Sequence, residues 1–136
     1  SSSSPSLLST VIDLKPHSWY EWMPQETIIF NEAKLDRETS LHVASGSTLM
    51  AGEIVIFGRT ASLEELDSIS LQDSWSVYFS KQLIWRDVLK IEKDTTKEIL
   101  TNRMCFDGAN VAATLIVVSD TASQLKKAFQ IPQMHL

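Results

Sequence analysis

A five-residue phrase occurs twice in the first half of the chain, as Glu26-Thr27-Ile28-Ile29-Phe30 and as Glu53-Ile54-Val55-Ile56-Phe57, 27 positions apart. Similar sequence leads into each copy: Ile12-Asp13-Leu14-Lys15-Pro16 before the first, Leu41-His42-Val43-Ala44-Ser45-Gly46 before the second. A recurring unit of this length, built from β-formers and punctuated by Pro or Gly, predicts stacked layers of strand. The unbroken apolar runs predict strands covered on both faces. A glutamate opens each run, where an unpaired carboxylate in apolar surroundings is costly. Two units do not close a stacked core, so the remaining layers are expected outside this chain.

The 136 residues amount to one domain. The formal net charge of -5 argues against a nucleic-acid or anionic-membrane surface, which needs clustered Lys and Arg. No apolar run approaches the ~20 residues of a membrane span. One cysteine, Cys105, excludes an internal disulfide framework and fits a reducing, cytoplasmic compartment; by itself it reads as a small buried hydrophobe. The serine-rich start carries neither an initiator Met nor a signal peptide, so the chain reads as a piece of a longer protein. Residues 1–10 are expected to be a disordered segment, and 11–136 a partial, all-β domain of stacked, β-helix-like layers with one or two short helices.

Between Ala33 and Ala44 the chain alternates, with Leu35, Arg37, Thr39, Leu41 and Val43 on one face and Lys34, Asp36, Glu38, Ser40 and His42 on the other. That is the pattern of a half-buried strand. A turn at Ser45-Gly46-Ser47 leads into the second apolar run, which Gly58-Arg59 closes. Ser62–Leu66 fits a capped helical turn. Trp75, Val77 and Phe79, then Leu83, Trp85, Asp87, Leu89 and Ile91, make a hairpin around Ser80-Lys81-Gln82, with Asp87 a carboxylate on an otherwise apolar stripe. Lys93–Lys97 reads as a charged loop, Val111–Val118 as a strand, and the segment after Asp120 as a short helix presenting Leu125, Ala128 and Phe129.

Standard catalytic and cofactor motifs are absent: no phosphate-cradling glycine loop, no nucleophile elbow, no Cys or His pair at zinc spacing. His42 and His135 read as solvent-facing, and His17 with Glu21 makes a poor ligand pair. The informative residues are Glu26, Glu53 and Asp87, for which two readings stand. Each is either neutralised by an arginine (Arg37, Arg59 or Arg86) or a strand-end backbone donor, or it lines a wet passage where carboxylates hold a cation weakly. Trp19, Tyr20 and Trp22 form an aromatic patch before Pro24; core packing is expected for at least two of them, with a partner-binding surface as the second reading.

The phrase Trp22-Met23-Pro24-Gln25-Glu26-Thr27-Ile28-Ile29-Phe30 resembles the UreD family of urease accessory proteins, called UreH in some organisms. The family shows a Trp-Leu-Pro-Gln phrase, an apolar run ending in Phe and then a turn. Glu53–Arg59 matches a second family phrase, and Leu83-Ile84-Trp85-Arg86-Asp87-Val88-Leu89 and Phe106-Asp107-Gly108-Ala109 are similar to two more. The likeness spans residues 11–130. Family members are about twice as long, and their N-terminal Gly-Gly-Asp and C-terminal Pro-Arg-x-Trp phrases are not here, so the chain looks like the middle of such a protein.

The resemblance implies a non-enzymatic maturation factor that binds urease apoprotein together with UreF and UreG. It implies no tightly bound cofactor, nickel in transit, and a β-helix-like stack pierced by a water-filled passage. Glu53 and Asp87 match acidic positions tied to that passage, with Arg59 orienting Glu53; Trp22, Pro24, Gln25, Glu26, Gly58 and Arg59 are expected to serve partner binding or structure. A route built from oxygen ligands suits transit, because Cys and His cages would trap the ion. Two alternatives remain at this point: a β-solenoid carbohydrate-active enzyme using paired carboxylates from Glu26, Glu53 and Asp87, and an inactive truncated paralogue with unpaired sheet edges.

Overall fold

The repeat marks two parallel layers of one stack. The computed structural model describes residues 4–58, 66–102 and 110–120. β1 (Ser6–Leu14) lies parallel beside β4 (Lys34–Val43), Ser6 against Leu35 and Leu14 against Val43, so partners stand 29 positions apart. β6 (Ser70–Phe79) runs parallel on the other side of β4, and β7 (Gln82–Ile91) folds back antiparallel on β6. In the second sheet β5 (Thr48–Phe57) is central. β2 (Trp19–Trp22) and β3 (Thr27–Ile29) run parallel along one edge of β5, and β8 (Val111–Ser119) runs antiparallel along the other.

The corners between the sheets stack as well. His17 and Gly46, again 29 positions apart, both have positive φ, 61° and 80°. A Cβ on Gly46 would sit 2.9 Å from His17 Nδ1, so glycine is required there for both conformation and space. The Ser47 hydroxyl donates to the Lys15 carbonyl at 2.6 Å and accepts from the Ser18 N–H at 3.1 Å, tying one corner to the next.

Strand register departs from the sequence repeat by one residue, and the departure decides which glutamate is buried. Aligning the two phrases sets Thr27 against Ile54, but in the ladder Thr27 lies beside Val55 and Ile29 beside Phe57. A one-residue slip exchanges the faces of a strand. Glu26 therefore stays exposed in the link between β2 and β3, while Glu53 points inward from the middle of β5 with Leu49, Ala51, Val55 and Phe57.

The apolar interior consists of two clusters. One gathers Leu14, Leu41, Val43, Leu49, Ala51, Trp75, Val77 and Val118; the other Ile29, Val55, Phe57, Leu66, Ile69, Leu71 and Ile91. Leu41 and Leu49 come from opposite sheets and are fully buried, each contributing about 1.5–3 kcal/mol by removal from water.

Several expectations need correction. The first strand begins at Ser6, inside the segment expected to be disordered, because β1 finds a full-length partner in β4. The second apolar run is covered on one face only: Ile54 is 47% exposed, and Ile28, Val111 and Leu115 share that open outer face. Only one of the three clustered aromatics packs inside. Trp22 meets Trp75 with ring centroids 6.0 Å apart, whereas Trp19 is 61% exposed and Tyr20 is exposed too. The expected loop after β7 is a 3-10 turn (Lys93–Thr95) running into α1 (Thr96–Thr101). Buried Thr96 explains it: its hydroxyl accepts from the Ile69 N–H at 3.0 Å, and Ile99 and Leu100 pack on the second cluster. Arg59, residues 62–65, Cys105, Phe106–Ala109, His135 and the segment after Asp120 lie outside the described residues. Among the described residues no helix is long and apolar enough to cross a membrane.

Candidate functional site

Between the two apolar clusters the strands turn polar at one common level. Along β4 the inward positions run Leu35, Arg37, Thr39, Leu41; along β5, Ala51, Glu53, Val55; along β6, Leu71, Asp73, Trp75. Arg37 and Asp73 are direct ladder partners, and Glu53 faces them from the other sheet. Arg37 is 3% exposed, Glu53 and Asp73 each 7%.

The contacts are charge-assisted and complete. Arg37 grips Asp73 in a fork, Nε to Oδ1 at 3.0 Å and Nη2 to Oδ2 at 2.6 Å. Its third nitrogen, Nη1, donates to Glu53 Oε1 and to the Thr27 hydroxyl at 3.0 Å, and that hydroxyl donates to Glu53 Oε1 at 3.3 Å. Among the described residues, no buried side-chain nitrogen or oxygen lacks a partner. The layer thus sets two carboxylates against one guanidinium.

That imbalance is felt at Glu53. Burial pushes its carboxyl above the ordinary value of 4.5; the Arg37 charge opposes the rise and the Asp73 charge adds to it. For Arg37, burial works against the charged form, but the hydrogen bond and charge of Asp73, followed by those of Glu53, hold the guanidinium above its ordinary range.

A pH signature follows. A carboxyl with a raised folded-state value binds its proton more tightly in the native chain than in the unfolded one. Its contribution to stability is therefore present below 4.5 and is lost as pH rises through the higher native value. Urea titrations at a series of pH values should show this component of the slope in the parent and not in Glu53→Gln; identical slopes would refute it.

Of the three carboxylates singled out in the sequence, Glu53 and Asp87 sit at different depths and on different sheets. Asp87 lies on β7 directly opposite Trp75, on the same inward face as Asp73, whose own partner is Leu89, one diagonal step away. The second sheet does not cover β7 here, so Asp87 is exposed where Glu53 is buried. The polar layer thus comprises Asp73, Arg37, Glu53 and Thr27 in the interior, and exposed Asp87 stands one diagonal step from it on β7.

Glu26 takes no part in it, and it does not face Glu53 as a catalytic carboxylate pair would. Pro24 and Gln25 are exposed beside Glu26, and Trp22 is a packing residue. Gly58 ends β5 at φ 86°, its N–H donating to the Ile29 carbonyl at 2.8 Å. Arg37 holds Glu53, while Arg86 donates to the Ser76 hydroxyl at 3.1 Å; Arg59 lies outside the described residues. His42 is half-buried, stacked on Tyr78 with centroids 4.5 Å apart. No group of three His, Cys, Asp or Glu residues able to hold a metal occurs among the described residues.

Asp73 and Thr27 were missed by the sequence reading. The signal for Asp73 was present: Leu71, Asp73, Trp75 and Val77 alternate as one inward stripe interrupted by a carboxylate, as Arg37 interrupts its own. Thr27 carried no such mark.

A family model described as "UreD urease accessory protein" matches residues 1–134. Urease accessory protein UreD of Magnetococcus marinus is 36% identical over 125 residues, covering 92% of this chain and 43% of the relative. UreD proteins of Rhodopseudomonas palustris (32% over 111 residues; 80% of this chain, 39% of the relative) and Granulibacter bethesdensis (30% over 116; 85% and 48%) are also similar. The chain spans less than half the length of these relatives.

Proposed function

This chain belongs to the UreD family of urease accessory proteins, and on that footing we propose that it serves urease maturation without catalysing a reaction of its own. It binds urease apoprotein together with UreF and UreG in the cytoplasm and passes nickel toward the urease active site, holding the ion only in transit. Asp87 receives the ion at the exposed position beside the polar layer, and Glu53 carries it inward.

The observation that supports this reading is the polar layer itself. A sandwich of this size gains more from filling that level with apolar side chains than from burying an ion-paired triad, whose desolvation offsets most of its attraction. Buried oxygen donors with an exposed carboxylate one diagonal step away suit a hard or borderline cation in passage. Glu53 can be removed without orphaning a charge, since Arg37 and Asp73 remain a matched pair. Glu53→Ala combined with Asp87→Ala, in the full-length protein, is therefore a clean test. Urease activation in nickel-supplied cells should fall by about tenfold or more, and undiminished activation sinks the nickel route.

A further inference from the structure

We propose that Arg37 is the gate of this route, a resident cation that competes with the cargo for Glu53; the inference rests on the nickel reading of Glu53. The guanidinium is nearly fully buried and occupies the space between the two carboxylates, which is where a metal ion bound by both would sit. Guanidinium and metal ion cannot share that space, because both are positive and each needs the same lone pairs. Arginine does not deprotonate in a protein, so the gate opens by movement and not by loss of charge.

The contacts say which bond gives way. Asp73 is held through two nitrogens in a planar fork, Glu53 through Nη1 alone. Nη1 also has the Thr27 hydroxyl as a second acceptor at 3.0 Å, so it keeps a partner when Glu53 lets go. Glu53 can thus turn to an incoming ion while Arg37 stays fixed on Asp73, and Nη1 then draws the Glu53 carboxylate back and the ion is released. A built-in competitor keeps oxygen ligands from retaining what they are meant to pass on.

Equilibrium dialysis of full-length protein against nickel sulfate alone tests the gate, using Arg37→Lys, Arg37→Met, and Arg37→Met with Glu53→Gln. Removing the competitor should tighten nickel binding by about tenfold in Arg37→Met, less in Arg37→Lys, and return it toward the parent when Glu53→Gln is added. A purely structural arginine would not produce tighter binding that Glu53→Gln reverses. Should Arg37→Met not fold, Arg37→Lys decides, since it keeps the charge but loses the fork. Binding no tighter than the parent's in the variants that fold overturns the gate. The nickel route itself stands or falls separately, on activation by Glu53→Ala with Asp87→Ala.

Discussion

Arg37→Met is expected to destabilise the protein by about 3–5 kcal/mol, because it leaves Glu53 and Asp73 facing each other in the interior with no counter-charge. Urea denaturation reads this as a lower midpoint at an unchanged slope. The compensated variant Arg37→Met, Glu53→Gln, Asp73→Asn should recover most of the loss, since neutral, hydrogen-bonded groups of the same shape carry no orphaned charge. The contrast between the two variants isolates charge from packing. If Arg37→Met costs less than about 1 kcal/mol, the triad is not the paired cluster described here.

Trp75→Ala should have a comparable effect by a different route. Trp75 is buried in the first cluster, tilted 59° against Trp22, and joins β4 to β7 through its ladder partners Thr39 and Asp87. Removing an indole from such a position leaves a cavity and costs about 3–5 kcal/mol. Trp75→Phe, which keeps the ring contact, should restore more than half of it. A thermal melt that moves by only a degree or two for the alanine variant would mean that the two sheets are not held together at this point.

Much of this architecture could be read before any coordinates. Alternation at Leu35–Val43 and the aromatic hairpin around Ser80-Lys81 depend on period-2 patterning, a local property, and both stand as expected. The phrase repeat correctly pointed to stacked parallel layers, because chemically similar runs occupy neighbouring positions in the stack. Register is not local. The corner pitch of 29 and the pitch of 28 at Thr27 arise from turn geometry at His17 and Gly46 and from the link through Pro24. One residue of slip separated a buried glutamate from an exposed one, although the phrases look alike.

The candidate site was legible in its parts but not in its assembly. Arg37 and Asp73 each interrupt an apolar stripe, and only the ladder reveals that the two interruptions are neighbours. α1 escaped notice because Lys93-Asp94-Thr95-Thr96-Lys97-Glu98 is charged, and the helix is anchored by the buried hydroxyl of Thr96 and two apolar residues at its end. Such tertiary anchoring outweighs local propensity in short helices.

The proposed passage of nickel from Asp87 to Glu53 is tested by urease activation in nickel-supplied cells. Full-length protein carrying Glu53→Ala and Asp87→Ala should be compared with protein carrying Glu38→Ala, an exposed glutamate on the outer face of β4 that points away from the layer. Activation should be reduced by about tenfold or more in the first and unchanged in the second. Equal activation by both, with each protein folded and expressed at the parent level, would contradict it.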